Sequence, residues 1–421
     1  MRPEPGTASV NRTAHPRPRC AERIGLARLT RAYEAGHDLR PLWRRLISRL
    51  LDGTIEAGEG LDLSLIAQLL GDKEAGLAIQ HAILSSHQLF RSPCAAKPPQ
   101  LRVLALAAAT DIGSNTPIEF LLENSGIELT TLYVMPDIDW PDWLPDHDVA
   151  MVIASDSDDC RAALDKIAHA MTHWPRPMLN SPQRICHLDR DKLHVLLTGV
   201  EGLEIPQTVC VTRDHLAMLA QSALALTNIA CDIAYPIIVR PRGAHAGKGL
   251  ARLDDASAIE RYLDEHAQES FFISRFVDYR NDDGLFRKYR IVVIDGQAYA
   301  CHLAIADRWD IWYMNAGMSA SADKRREEAA FMQDFDSGFA QRHCAALSGL
   351  SKRIGLDYFT IDCAETKDGS LLIFEADNTA IVHDMDRPDI FPYKAPQMRK
   401  VFDAFAAMLS RRAGRANEAA A

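Results

Sequence analysis

The stretch that decides the fold reads LDYFTIDCAETKDGSLLIFEADN and spans residues 356–378 of the 421-residue chain. Apolar, aromatic and β-branched residues dominate both of its halves, as is typical of two buried strands. The halves are separated by KDGS at residues 367–370, and an Asp-Gly step is a strong turn signal. The stretch therefore predicts an antiparallel β-hairpin.

Acidic residues lie on both predicted strands of this hairpin. The expected register places Asp362 beside Glu375, and either Asp377 or Asn378 completes a cluster of side-chain oxygens. Two neighbouring carboxylates destabilise each other unless a cation lies between them. Oxygen ligands without thiol or imidazole suit Mg²⁺, which fills its other positions with phosphate oxygens and water. We predict a magnesium site; the alternative is that Asp362 faces solvent while Glu375 ends its strand.

A glycine-rich segment, RGAHAGKG, lies upstream at residues 242–249, directly after a predicted strand that contains Arg240. Gly243 and Gly247 lack the Cβ atom that would obstruct a close approach of backbone N–H groups to phosphate. Arg240 and Lys248 add positive charge on either side. The segment lacks the Walker pattern, so the alternative to a phosphate site is an ordinary hairpin turn.

The remaining sequence divides into parts of different texture. Residues 1–97 are predicted to be a helical module with a flexible basic start, and residues 98–206 alternate strands with helices. Such alternation predicts a doubly wound parallel sheet. Residues 207–412 would form an α+β domain that carries both candidate sites, and residues 413–421 a disordered tail. The overall fold class is therefore α/β.

Two of these parts have functions that the sequence leaves open. The helical module could mediate homodimerisation, cap a substrate, or simply extend the protein as a packed N-terminal addition. The loop at residues 110–115 follows the first strand of the predicted parallel sheet, where open α/β sheets bind ligands. It lacks the Gly-x-Gly-x-x-Gly pattern, so it is either a substrate contact or an ordinary connection.

Composition excludes several classes of function. The chain carries a formal net charge of −10 with 47 Lys and Arg residues against 57 Asp and Glu, which argues against nucleic acid as a partner. The nine cysteines are scattered without a zinc-site spacing, which indicates free thiols in a reducing compartment. No apolar run is long enough to cross a bilayer and no signal peptide is apparent, so we expect a cytoplasmic protein without a membrane partner.

With a glycine-rich loop followed by paired acids in this order, the chain resembles the ATP-grasp superfamily from roughly residue 102 to residue 409. That fold is shared by glutathione synthetase, D-alanine:D-alanine ligase and the ribosomal-protein glutamate ligases. The resemblance implies a pre-ATP-grasp α/β domain followed by a two-subdomain ATP-grasp domain. It implies ATP and Mg²⁺ as cofactors, and a reaction that joins a small carboxylate to an amine through an acylphosphate.

The resemblance also assigns nucleotide contacts. Lys192 would approach the phosphates, and Arg240 occupies the place of a family lysine that contacts the α- and β-phosphates. The segment FFISRFV, at residues 271–277, matches the hinge strand whose main chain holds adenine, which implies contacts from Arg275, Phe276 and Val277. The usual glutamine-glutamate pair of that strand is replaced here by Ser-Arg.

The catalytic and metal assignments follow the same resemblance. Arg290 matches an arginine that faces the transferred phosphate, and it joins Arg240 and Lys248 in the implied catalytic set. Asp362 and Glu375 match the magnesium ligands. The family's third ligand is an asparagine two residues after the glutamate, but that position holds Asp377, and the asparagine here is Asn378.

Substrate selection is expected from the segment after Arg290 and from the residues after the acid hairpin. The candidate contacts mix polar and aromatic side chains and are His302, Arg308, Tyr313, Asn315 and Lys394. The alternative is that these residues serve packing. Two other functions remain open, namely a small-molecule kinase and a non-catalytic nucleotide-binding module.

Overall fold

The computed structural model describes residues 20–244 and 247–419. The predicted flexible basic start falls within residues 1–19, which lie outside the described residues. Residues 245 and 246 of the glycine-rich loop lie outside them as well. Among the helices that are described, none combines the length and the apolar character needed to cross a membrane.

Within these ranges the strands, in chain order, are β1 (Ala21–Glu22), β2 (Leu89–Arg91), β3 (Leu101–Ala108), β4 (Ile127–Val134), β5 (Val149–Val152), β6 (Met178–Leu179), β7 (Leu203–Glu204), β8 (Thr208–Thr212), β9 (Ile237–Pro241), β10 (Ala251–Leu253), β11 (Ser270–Arg275), β12 (Phe286–Ile294), β13 (Gln297–Ala306), β14 (Tyr358–Glu365) and β15 (Leu371–Asp377).

The α-helices of the same ranges are α1 (Leu26–Glu34), α2 (Arg40–Leu51), α3 (Ala57–Leu69), α4 (Lys73–Leu84), α5 (Ile118–Leu122), α6 (Asp158–Met171), α7 (Pro182–Ile185), α8 (Arg190–Leu197), α9 (Arg213–Ala220), α10 (Leu226–Ile229), α11 (Ala256–Glu265), α12 (Ala322–Gln333), α13 (Phe339–Arg342), α14 (Cys344–Ile354) and α15 (Lys394–Ala419). Two 3₁₀ turns cover Tyr313–Asn315 and Met318–Ala320.

The first sheet contains the predicted parallel α/β unit. Its strand order is β1-β2-β4-β3-β5-β6, and β3 pairs in parallel with both β4 and β5, while β5 pairs in parallel with β6. The inner strands are buried along nearly their whole length, as expected of a sheet covered on both faces. The prediction of a doubly wound parallel sheet is therefore confirmed, and so is the mixed α/β fold class.

The N-terminal module is more closely joined to this sheet than the sequence indicates. Before its first helix and after its fourth, the short strands β1 and β2 enter the first sheet, where β2 pairs antiparallel with β4. Strands of two and three residues are too short to give a periodic pattern, so the sequence alone missed them. Helices α1 to α4 thus form an insertion on the edge of the α/β unit.

Two further sheets follow, and they carry the candidate sites. An antiparallel sheet of order β10-β9-β11-β8 holds the strand that leads into the glycine-rich loop. A second sheet of order β13-β12-β14-β15-β7 holds the acid hairpin, β14 and β15. One apolar core joins the acid sheet to the first sheet, while the β8 to β11 unit has a separate core.

The hairpin prediction is confirmed down to its register. Asp362 pairs with Glu375, and Thr360 pairs with Asp377. The register shifts on the turn side of this pair, where Cys363 faces Ile373, so one extra residue of β15 forms a β-bulge there. The bulge lies before Glu375 and not between Glu375 and the third candidate ligand.

The C-terminus differs from the prediction. The prediction ends the α+β domain at residue 412 and gives a disordered tail after it, but α15 runs without interruption from Lys394 to Ala419. Alanine, arginine and glutamate, which fill the tail, are strong helix formers and can extend a helix that is already anchored. Ala413 is buried against the body of the protein. The last helix therefore extends past residue 412, and the last two residues lie outside the described part.

Candidate active site

A cleft of about 1180 Å³ lies between the glycine-rich loop and the acid hairpin. Gly243, Gly247 and Lys248 line it from the loop, while Asp362 and Glu375 line it from the hairpin. The two segments that the sequence singled out, far apart along the chain, therefore face the same space.

Asp362 is the most enclosed acid of the cleft, and two cations hold it. Arg290 donates two hydrogen bonds to its carboxylate, from Nε at 2.8 Å and from Nη2 at 3.0 Å, and Lys288 Nζ lies 2.7 Å from Oδ2. The residue is 2% exposed. Burial raises the pKa of Asp362, but Arg290 and Lys288 outweigh burial and hold the pKa well below its usual range. Asp362 is therefore a carboxylate.

Glu375 is held in the same way by two other cations. Arg190 forms an ion pair with its Oε2 atom, and Arg240 Nη1 lies 4.0 Å from the same oxygen. Burial raises the pKa of Glu375 and the charge of Asp362 adds to this, yet Arg190, Lys288 and Arg240 lower it overall. Both acids of the hairpin are therefore ionised, and each is matched by cations from a different part of the fold.

The surroundings of Arg240 disfavour its charged form. Burial and the nearby charge of Arg190 lower the pKa of Arg240 to about 10. The charge of Glu375 raises this pKa but offsets only part of the decrease. Its Nη2 atom donates to the carbonyl of Ala244 in the glycine-rich loop, whereas its buried Nε–H has no hydrogen-bond partner among the described residues. An orphaned donor on a desolvated cation is a good binding group for an anion.

The donor set fits a divalent cation of the magnesium type. Asp362 and Glu375 supply carboxylate oxygens from paired positions on neighbouring strands. No cluster of three or more His, Cys, Asp or Glu side chains converges anywhere in the part of the chain that the structure describes. Two carboxylates suit Mg²⁺, which takes its other ligands from phosphate and water.

Asp377 and Asn378, the two candidates for a third metal ligand, lie in different surroundings. Asp377 lines the cleft, and its Oδ1 atom accepts hydrogen bonds from the main-chain N–H and the hydroxyl of Thr379. Asn378 points the other way, because successive residues of a strand face opposite sides. Its Nδ2 atom donates to the carbonyl of Ala154 at 2.9 Å, and it is 1% exposed. Its buried Oδ1 atom has no hydrogen-bond partner among the described residues, so the choice between Asp377 and Asn378 stays a prediction.

The predicted adenine contacts lie at another part of the same cleft. Arg275, Phe276 and Val277 all line it, at the end of β11. The N–H of Phe276 is already bonded to the carbonyl of Pro236 at 2.9 Å. Beside it, the ring of Trp309 packs edge-on against Phe276 with 5.7 Å between centroids. Main-chain groups next to an aromatic wall suit a flat heterocycle.

Lys192 bonds through its ammonium group within the α/β unit. Its Nζ atom donates to the carbonyl of Cys186 at 3.0 Å and lies 3.5 Å from Asp156, and it is not among the described residues that line the cleft. Residues two apart on a helix point about 200° apart, so the cation of α8 that faces the cleft is Arg190. The phosphate contact of Lys192 stays a prediction, and Arg190 is a cleft cation that the sequence did not single out.

The predicted substrate contacts differ in whether they line the cleft. Asn315 lines the cleft, whereas His302, Arg308, Tyr313 and Lys394 are not among the described lining residues. Arg308 is exposed and paired with Asp310. His302 packs against Tyr313 with 4.6 Å between ring centroids, and burial, together with Arg290 and Lys394, holds its pKa well below the usual value.

Lys394 and Tyr313 belong instead to a buried polar cluster behind the cleft wall. Glu328, fully buried at its centre, accepts hydrogen bonds from the hydroxyls of Tyr393 at 2.6 Å and Tyr313 at 3.2 Å. Lys394 Nζ lies 3.3 Å from both Glu328 and Asp386. These groups satisfy one another, and the substrate role of Lys394 and Tyr313 stays a prediction.

Other cleft residues escaped the sequence analysis. Lys288 lies two positions before Arg290 on β12, and the alternation of side chains along a strand could have found it. Asp111 belongs to the loop at residues 110–115 that the sequence named as a possible substrate contact, whereas Gln68 and Lys73 come from the N-terminal module. No motif marks them, because only the packing of distant segments brings them to the cleft.

Comparison with known proteins gives structural neighbours only. Neither a family model nor a curated protein matches the chain. It is similar to the RimK-domain ATP-grasp protein of Sphaerobacter thermophilus, with 16% identity over 73% of this chain and 99% of that chain at a TM-score of 0.43.

Two similar structures come from other bacteria. The D-alanine–D-alanine ligase of Bacillus anthracis complexed with ATP is 14% identical over 76% of this chain and 100% of that chain, at a TM-score of 0.46. The D-Ala:D-Ser ligase VanG of Enterococcus faecalis is 13% identical over 74% of this chain and 100% of that chain, at a TM-score of 0.44. The neighbour from Sphaerobacter carries the name ATP-grasp, the superfamily that the sequence resembles.

Proposed function

We propose that this chain is an ATP- and Mg²⁺-dependent ligase that activates a small carboxylate as an acylphosphate and joins it to an amine. The observation that carries the proposal is the single cleft in which the carboxylates Asp362 and Glu375 lie among cations from separate segments. Carboxylates for a metal and cations for phosphates are the two requirements of phosphoryl transfer.

The cleft suggests how ATP would lie. Its base would occupy the end lined by Arg275, Phe276 and Val277, and its phosphates would extend beneath the glycine-rich loop toward Asp362 and Glu375. Gly243 and Gly247 adopt positive φ angles of 73° and 71°, and a Cβ at either would meet nothing within 4 Å. Their conformation, and not crowding, is the reason for glycine here, and the missing Cβ atoms would allow backbone N–H groups to approach an anion closely.

The ion pairs of the cleft would change partners when the nucleotide binds. Arg290 and Lys288 now neutralise Asp362, and Arg190 and Arg240 neutralise Glu375. Phosphate oxygens would draw these cations, which releases the carboxylates to hold Mg²⁺. The metal would supply charge neutralisation across the phosphates. Because Asp362, Glu375 and the four cations around them are already paired, this exchange does not require any of these six charges to be buried in isolation.

The chemistry would depend on alignment and charge neutralisation. A substrate carboxylate oxygen attacks the γ-phosphorus of ATP, the bond from that phosphorus to the β–γ bridging oxygen breaks, and ADP leaves. Arg290, Arg240 and Lys248 would stabilise the negative charge that is spread over the transferred group. The amine then attacks the acyl carbon, phosphate departs with the bridging oxygen, and the amine gives up a proton as the amide forms. No nucleophile of the protein takes part.

The test is product analysis with the full chain, Mg·ATP and a panel of amino acids and small carboxylates, each with and without an amine. A ligase releases ADP and inorganic phosphate in equal amounts and yields an amide, only when acid and amine are both present. ADP with a stable phosphorylated product would mean a kinase. Tight nucleotide binding without turnover for any combination would mean a non-catalytic module. Either of the last two results contradicts the proposal.

A further inference from the structure

The N-terminal helical module holds one loop of the cleft with two buried glutamines. Gln80 on α4 donates from Nε2 to the carbonyl of Thr110 at 3.0 Å. Gln68 on α3 accepts, through Oε1, the N–H of Ile112, also at 3.0 Å. The two glutamines are 3% and 9% exposed. Polar side chains this well buried, on two different helices, therefore fix two main-chain groups of one short loop.

Further contacts hold the same loop in place. Asp111 accepts hydrogen bonds on Oδ1 from the N–H of Gly113 at 3.1 Å and from the hydroxyl of Ser114 at 2.8 Å, and its other oxygen pairs with Lys73 of α4. The side chain of Ile112 packs against the apolar core of the module. The loop between β3 and α5 is thus held against the module by hydrogen bonds, an ion pair and apolar packing.

This loop lies beside the acids. Residues 111–113 line the cleft, and so do residues 379–381, which come shortly after β15, the strand that carries Glu375. At the far end of the loop, the hydroxyl of Thr116 donates to the carbonyl of Asn378 at 2.7 Å. The loop is consequently fixed at one end by the helical module and at the other by the strand that carries Glu375.

We propose that Gln68 and Gln80 are positioning residues, through which the helical module shapes the part of the cleft that receives the phosphoryl acceptor. This inference rests on the proposed function, because it assumes that a carboxylate substrate lies next to the acids. The proposed nucleotide contacts come from β9, β11 and the glycine-rich loop, whereas the two glutamines hydrogen-bond to the loop after β3. The module should therefore control binding of the acid and leave binding of ATP unchanged.

The experiment uses the full chain with Gln80→Met and Gln68→Met, which keep the length and shape of the side chains but remove the hydrogen bonds. His81→Ala, at an exposed neighbouring position on α4, is the matched control. Hydrogen exchange of the loop amides is measured first. We expect exchange at residues 110–114 to be faster by about tenfold in both glutamine variants, the effect of one lost buried hydrogen bond, and unchanged in the control.

Steady-state kinetics follow, with the acid and amine of the panel that give the fastest ADP release. The KM for that acid should rise by about tenfold in each glutamine variant, with the KM for Mg·ATP and the kcat within about twofold of the unaltered chain. Unaltered loop exchange, or equal changes in both KM values, would overturn the inference while leaving the ligase proposal intact. An unaltered chain that turns over no pair would instead refute the proposed function, and exchange would still report on the loop.

Discussion

Arg240 Nη1 lies 4.0 Å from Glu375 Oε2, which joins the strand before the glycine-rich loop to the acid hairpin across the cleft. The two residues belong to different sheets with separate apolar cores. Packing within either sheet does not explain the contact, which brings an incompletely hydrogen-bonded cation to an acid that is already paired with Arg190. The arrangement suits a site that exchanges ion pairs for a charged ligand.

The acids should be essential for turnover, and Asp362→Asn should in addition destabilise the fold because it leaves Arg290 and Lys288 without their shared carboxylate. Asp362→Asn and Glu375→Gln should each lower Mg·ATP-dependent ADP release by about a hundredfold or more, since even the partners of metal ligands commonly contribute factors of 10 to 100. Asp368→Asn, in the exposed turn of the same hairpin, should leave the rate unchanged. Circular dichroism checks folding, and wild-type rates in both acid variants would remove the metal assignment.

Arg190 and Lys192 offer a direct comparison on one helix. Arg190→Met should weaken binding of Mg·ATP by about tenfold, because a charged hydrogen bond contributes about 1.5–3 kcal/mol and part of it is screened. Lys192→Met should change the dissociation constant by less than about twofold, since its ammonium group bonds within the α/β unit. Titration calorimetry measures both. The opposite ranking would support the assignment given by the sequence resemblance.

Glu365, at the end of β14, should make the stability of the chain depend on pH. Burial raises its pKa, but hydrogen bonds from His343 and Arg342 outweigh burial and lower the pKa to about 2, from an ordinary value of 4.5. A group whose pKa is lower in the folded state than in the unfolded state stabilises the protein at pH values above the unfolded pKa. This stabilisation is lost as the pH falls toward the folded pKa.

The variant Glu365→Gln should therefore reduce the free energy of unfolding by about 1 kcal/mol at pH 7, after allowance for the partial exposure of the pair. The difference from wild type should shrink between about pH 4.5 and pH 2. Urea denaturation at pH 7 and pH 3 measures it. A difference that is the same at both pH values would show that the ionised form of Glu365 is not the stabilising one.

Lys394 should prove to be a stability residue. Lys394→Met leaves Glu328 and Asp386 without their shared cation, and breaking a buried ion pair from one side costs about 3–5 kcal/mol. Lys400→Met, on the exposed face of the same helix, should cost less than about 0.5 kcal/mol. Urea denaturation compares them. A Lys394 variant of normal stability that no longer binds the acid substrate would support the substrate role predicted from the sequence.

Local signals made part of this site predictable. The Asp-Gly step and the strand patterns around it fixed the hairpin, and the period of two along each strand then placed Asp362 beside Glu375. The glycine-rich loop was likewise visible because its residue types are unusual. In both cases the information lies within a few neighbouring positions.

The surroundings of other predicted residues could not be inferred from the sequence, because they depend on contacts between segments that are distant along the chain. Lys192 was assigned by its place in a motif, but the phase of α8 turns Arg190 toward the cleft instead. Lys394 is a charged residue near the acids, and only the packing of α12 and α15 reveals that Glu328 neutralises it. Gln68 and Gln80 are unremarkable in the sequence, since their function comes from the loop against which their helices pack.

Transfer of oxygen from acid to phosphate tests the central claim most directly. The carboxylate substrate that the panel identifies is labelled with oxygen-18 in both oxygens and incubated with the chain, Mg·ATP and the amine, and the released phosphate is analysed by mass spectrometry. An acylphosphate intermediate predicts that each phosphate carries one labelled oxygen taken from the acid. Phosphate without label, with the oxygen that the acid loses on amide formation found in another product, would contradict the account.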